Sequence, residues 1–178
     1  MIIVYMDTME DTSTFKPIYE GLDCKLLYNP SREEVTRVLK ENPTETLLCF
    51  GHGSPFGLYS PNIEEFNVID QYTVPLLKGR EVIGIWCYAS EFAKKHNLKG
   101  FFTYMFISNE DEASSLRYEG YDNSTIYQRN ALFAKRINQL IKDGIPLSEW
   151  VERLQSEYDK KLGFEEFNYL NLEYFDNE

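Results

Sequence analysis

At 178 residues the chain is the size of one domain with a full core, and its 43% hydrophobic and 15% aromatic content argues against disorder as the main state. Twenty-nine acidic against 18 basic residues give a net charge of −11. That balance excludes non-specific binding to nucleic acid or to anionic membrane, since both need a basic face.

The first apolar run, IIVYM (residues 2–6), reads as a strand. No basic segment precedes it and Asp7 ends it, so no secretory leader is expected there. CKLLYN (24–29) is a second strand. The segment PSREEVTRVLKEN then opens on a capping box, Ser31 with Glu34, and places Val35, Val38 and Leu39 on one helical face. TLLCF (46–50) is a third strand, and its lack of polar alternation predicts burial on both faces. A Gly-, Pro-, Asn- and Ser-rich loop follows from Gly51 to about Asn67. Residues 68–77 are expected to be partly helical, limited by Pro75. VIGIW (82–86) is a fourth strand, YASEFAKKHN a helix, and FFTYMFI (101–107) a fifth strand.

Beyond a polar stretch, SNEDEASSLRYEGYDNS, two helices are predicted. One carries Ile126, Phe133, Ile137 and Leu140 and stops at Gly144; the other carries Trp150, Val151, Leu154 and Tyr158 and stops at Gly163. FNYLNLEYF (167–175) reads as a sixth strand. There is no internal repeat and no linker long enough to divide domains. Strands alternating with helices predict one α/β domain over residues 1–178, three-layered, with a mostly parallel six-stranded sheet and helices on both faces.

No run approaches the roughly 18 apolar residues of a membrane-spanning helix. Three cysteines, an odd count with neither a CxxC pair nor metal-ligand spacing, point to free thiols in a reducing cytoplasm. Soft ligands are too few and too scattered for a metal site, and no cofactor is expected.

Two short segments carry the chemistry. LLCFGHGS (47–54) places His52 two residues past the third strand, and VIGIWCYAS (82–90) places Cys87 at the end of the fourth. In open parallel sheets, sites form at the carboxyl ends of strands. Neighbouring strands lie about 4.8 Å apart, so adjacency would bring both side chains into one crevice. A thiol beside an imidazole is a nucleophile beside its base, and that setting should favour the thiolate of Cys87. Gly53 exposes a backbone N–H without a side chain in the way, and with the Cys87 amide it could form an oxyanion hole. A phosphatase loop would need an arginine at position 93, where alanine stands, and a nucleophile elbow would need small residues at both Ile85 and Ala89. Cys49 reads as core and Cys24 has no partner. His96 lies at the far end of a helix that leads away from Cys87.

An apolar strand ending in His-Gly, followed by one ending in Cys and small residues, resembles the clan of caspase-like cysteine peptidases, which includes caspases, clostripain, gingipains, legumain and separase. The resemblance covers about residues 1–110 by strand order. It implies a caspase-type sheet, His52 as the catalytic histidine, Cys87 as the nucleophile and the Gly53 amide in the oxyanion hole. Tyr88 is bulkier than the residue often found beside the family's cysteine. The short interval between the two motifs leaves room only for a minimal version.

The function implied is a cytoplasmic cysteine endopeptidase acting on peptide or protein substrates; the alternative is a catalytically silent caspase-like module for interaction or regulation. The loops after strands one and five carry Asp7 and the Glu110–Asp111–Glu112 cluster. Carboxylates bordering the cleft would favour substrates with Arg or Lys before the cleaved bond. The plainer reading of these acids is a polar loop and a solvated turn.

Overall fold

The computed structural model describes residues 1–61 and 66–177. β1 (Ile2–Tyr5) leads through a 3₁₀ turn over Thr12–Ile18 to β2 (Lys25–Tyr28). The Ser31 hydroxyl then accepts from the Glu34 amide at 3.1 Å and starts α1 (Arg32–Glu41). β3 (Leu47–Phe50) is followed by a three-stranded antiparallel ribbon, β4 (Gly53–Ser54), β5 (Gly57–Tyr59) and β6 (Asn67–Ile69), the first two within the stretch the sequence predicts as a loop. Next come α2 (Val74–Leu77), β7 (Val82–Ile85), α3 (Ala89–His96) and β8 (Gly100–Thr103). The chain closes with α4 (Glu110–Ser115), α5 (Asn123–Lys142), α6 (Leu147–Gln155), α7 (Gly163–Leu170) and β9 (Leu172–Phe175).

The main sheet has the order β2–β1–β3–β7–β8–β9. Its first five strands are parallel and β9 runs antiparallel to β8. This is the α/β arrangement the sequence predicts, with a mostly parallel six-stranded sheet. The four residues each of β1, β3, β7 and β8 are all buried, because the period-two alternation of a strand sends apolar side chains to both faces. Ile2, Val4, Cys49 and Val82 pack with Val35 and Leu39 of α1 and Phe92 of α3. Ile3, Leu48, Ile83 and Phe101 pack with Phe133 and Ile137 of α5 and Trp150 of α6. Helices therefore cover both faces. Among the described residues no helix is long and apolar enough to cross a membrane.

Three predicted boundaries are corrected. The sixth strand is confined to Leu172–Phe175, because Phe164, Glu165, Asn168 and Tyr169 are buried at helical spacing and form α7 instead. Residues 68–77 hold the expected short helix, α2, with Pro75 in its first turn, but the stretch begins with the end of β6. The fifth strand stops at Thr103, and the chain beyond it is held by side chains. The Ile107 N–H donates to Asn168 Oδ1 at 2.6 Å, and the Ile107 carbonyl accepts from Asn168 Nδ2 at 3.0 Å and Asn130 Nδ2 at 3.1 Å. Both asparagines are buried. Removing the Asn168 amide strands a buried backbone N–H, which costs about 1–3 kcal/mol. At this chain length 1 kcal/mol corresponds to roughly 2–4 °C. Asn168→Ala is expected to lower the melting temperature by about 2–12 °C in thermal denaturation followed by circular dichroism. An unchanged melting temperature would show that the Ile107 bonds are not needed.

Candidate functional site

β3 and β7 pair in parallel with Phe50 beside Ile85, so both chains leave the sheet at the same edge. The Gly51 amide extends the ladder by one bond, donating to Ile85 O at 3.2 Å. His52 and Cys87 consequently line one cavity, with Thr12, Phe15, Phe106 and Ser108 among its walls. The cavity is tight, about 10 Å³, close to the space that a single water requires.

The Gly-His-Gly segment is shaped by what it must pass. A Cβ on Gly51 would sit 2.8 Å from both Met6 Cβ and Met6 O, and its φ of 148° already favours glycine. A Cβ on Gly53 would lie 2.2 Å from Cδ1 of Trp86, whose indole N–H donates to Ser54 O at 3.3 Å. His52 is thus fixed between two close backbone approaches. Tyr59 N donates to His52 O at 2.9 Å, which makes the Gly53–Leu58 pair the non-hydrogen-bonded kind and turns the Gly53 N–H away from β5. Among the described residues the Cys87 amide has no acceptor either. Tyr88 takes a left-handed conformation, φ 67°, to turn the chain directly into α3. Its ring packs edge-on to Tyr104, with centroids 5.0 Å apart, and does not line the cavity.

A third group joins the pair. Asp11, only 3% exposed, places Oδ1 3.0 Å from His52 Nε2. The same oxygen accepts from Thr12 N at 2.8 Å, and Oδ2 accepts from Ser108 Oγ at 2.8 Å and Asn109 Nδ2 at 3.0 Å. Burial works to raise the Asp11 pKa, but hydrogen bonds from His52, Asn109 and Ser108 bring it down to about 2. His52 is raised, chiefly by the bond to Asp11, against the effect of its own burial. No sequence signal separated Asp11 from the other acids of its loop. It lies four residues past Asp7 and reaches the imidazole only because the 3₁₀ turn folds back under β3.

Cys87 behaves differently from expectation. Its Sγ donates to Phe106 O at 3.4 Å, and among the described residues no hydrogen bond joins it to His52. Burial, then the charges of Glu112 and Asp11, push its pKa up to about 12. The resting group is a neutral thiol. A thiolate would face two carboxylates in a poorly solvated pocket, which is the reason the expected activation is not found.

The acids proposed to border the cleft are not brought to it. Asp7 accepts from Tyr28 OH at 2.8 Å and Thr12 Oγ1 at 3.2 Å and pairs with Lys16 at 3.5 Å, so it ties β1 to its flanking segments. Glu110 and Asp111 are exposed in the first turn of α4. Successive helical residues point about 100° apart, so only Glu112 turns back, accepting from Ser108 N at 2.7 Å and Ser108 Oγ at 2.9 Å. Cys49 is wholly buried within β3. His96 sits at the far end of α3 against Phe92. Among the described residues no three His, Cys, Asp or Glu could hold a metal ion. Compared with known proteins, the chain matches no family model and no curated relative.

The linked shifts set a pH window. Asp11, depressed in the fold, contributes stability above its unfolded value of about 3.9 that is lost as pH falls toward 2. His52, raised in the fold, contributes stability below about 6.5 that is lost as pH rises through its folded pKa. The other histidine, His96, is lowered by burial and by Lys95 and Lys78. Imidazole proton resonances should therefore titrate on opposite sides of pH 6.5. Asp11→Asn should move the upper one down and leave the lower in place; two unmoved curves would refute the coupling.

Proposed function

We propose that the chain is a caspase-like cysteine endopeptidase of the cytoplasm, with Cys87 as nucleophile, His52 as base and acid, and Asp11 as the carboxylate that orients the imidazole. The observation that carries this reading is the buried Asp11 on one ring nitrogen of a histidine that shares a cavity with the cysteine. Hydrogen bonding to a carboxylate places the ring proton on Nε2, so the neutral imidazole keeps its lone pair on Nδ1. In the proposed cycle that lone pair takes the thiol proton as sulfur attacks the peptide carbonyl carbon. The carbonyl oxygen becomes an oxyanion, accepting from the Gly53 and Cys87 amides, whose N–H groups the ladders leave unused. The imidazolium then protonates the leaving amine, the C–N bond breaks and a thioester remains. Water, deprotonated by His52, hydrolyses the thioester and restores the thiol.

The raised pKa of Cys87 means that charge separation follows substrate entry. A cationic side chain on the substrate would offset the field of Glu112 and Asp11, which is how a preference for Arg or Lys before the scissile bond fits this site. Of Asp7 and the Glu110–Asp111–Glu112 cluster, Glu112 alone keeps the specificity role in this reading. A second reading, a catalytically silent caspase-like module, rests on the tightness of the cavity and the neutral thiol.

A fluorogenic panel ending in Arg, Lys, Asp or Asn decides between them. Cys87→Ala should abolish turnover, and His52→Ala should lower kcat/KM by about 10²–10⁴-fold. Glu112→Gln should reduce the Arg-over-Asn preference by about tenfold, the equivalent of a lost 1.4 kcal/mol. Absence of turnover, with Cys87 reacting no faster than Cys49 toward iodoacetamide, would leave the silent module. Faster cleavage after Asp than after Arg would remove the basic preference alone.

A further inference from the structure

A second groove, of about 400 Å³, lies between the β4–β6 ribbon and the far end of α3. Phe56, Phe66 and Tyr72 open onto it and are 68%, 84% and 72% exposed. Exposed aromatic groups in one place mark interaction surfaces. Among the described residues that line the groove, Arg32 and Lys95 stand against one carboxylate, Asp70. The Lys95 ammonium lies 5.4 Å from the Phe56 ring centroid and, among the described residues, has no carboxylate partner. Arg32 stands 6.0 Å from the Tyr72 ring, and its guanidinium is already committed to Asp70 at 2.7 Å and Asn67 O at 2.9 Å. Asn67 Oδ1 is buried and, among the described residues, has no donor; an incoming N–H would satisfy it.

We propose that this groove binds an acidic polypeptide segment with an aromatic or large apolar anchor, the carboxylate meeting Lys95 and the anchor lying on Phe56 and Tyr72. The occupant is taken to be part of a protein substrate, which rests on the peptidase reading. The eight residues of α3 separate the groove from Cys87 by about 12 Å, at roughly 1.5 Å per residue. An extended chain rises about 3.3 Å per residue, so the anchor lies about four residues from the bond presented to the thiol.

The test uses the full-length Cys87→Ala protein and a fluorescein-labelled nonapeptide containing Asp-Phe-Glu, followed by fluorescence polarisation. Lys95→Glu, and separately Phe56→Ala with Tyr72→Ala, should each weaken binding at least fivefold, and replacing the acids of the peptide with lysine should do the same. Lys135→Ala, exposed on α5 across the sheet, should leave binding within twofold. The exposed Lys95→Ala variant serves if the double variant proves unstable. Equal affinity across the groove variants, equal binding of the lysine peptide, or capture of anionic vesicles in place of the peptide would overturn the proposal. Because the nucleophile is absent throughout, loss of groove binding is read separately from loss of turnover by the wild-type protein.

Discussion

Parallel pairing of β3 with β7, in the register that sets Phe50 beside Ile85, is the constraint on which the site depends. A slip of one residue would exchange the faces of every side chain on one strand and separate the two strand ends by about 3.3 Å. The register is held from both faces, since Leu47 and Cys49 must enter one apolar layer while Leu48 and Phe50 enter the other. Glycine then completes what pairing begins. Gly51 passes Met6, Gly53 passes Trp86, and the imidazole between them has little freedom of placement.

Electrostatics set the charge state of the groups around the cavity. Two carboxylates reach the one hydroxyl of Ser108, at 2.8 Å for Asp11 and 2.9 Å for Glu112, and a hydroxyl has one proton to give. Asp11 has four donors and is held ionised. Negative charge therefore stands beside the half-buried thiol of Cys87, which stays neutral. The same charge favours an imidazolium on His52 and a cation on any ligand that enters. On the peptidase reading proposed above, ligand charge would thereby be coupled to the ionisation of Cys87.

The far wall of the cavity comes from chain well beyond the two motifs. Ser108 is placed by the Ile107 bonds to Asn130 of α5 and Asn168 of α7. The turn at Cys87 is tied to the junction of α7 and β9 in two steps, Tyr88 N to Tyr104 O and Tyr104 N to Asn171 O, both at 2.8 Å. Thr103 Oγ1 adds a bond to Trp86 O at 2.8 Å. The C-terminal helices and antiparallel edge strand thus close one face of the sheet and hold the site's second loop.

Apolar strand runs, their order, and the placement of His52 and Cys87 just past two of them were legible in the sequence by itself, because local periodicity and strand-end position depend on neighbours in the chain. The ribbon after β3 was not legible, since its strands are two or three residues long and form by pairing with one another. Nor was α7, where aromatic residues with strong strand preference take helical spacing to bury Phe164 and Tyr169. Asp11 and Glu112 could not be chosen over Asp7, Glu110 and Asp111 from composition, because all five are acids in polar loops. Only tertiary structure decided which carboxylates turn inward. The same folding decided the charge state of Cys87, because a thiol's ionisation depends on burial and on charges brought from Asp11 and Glu112, far away in the chain.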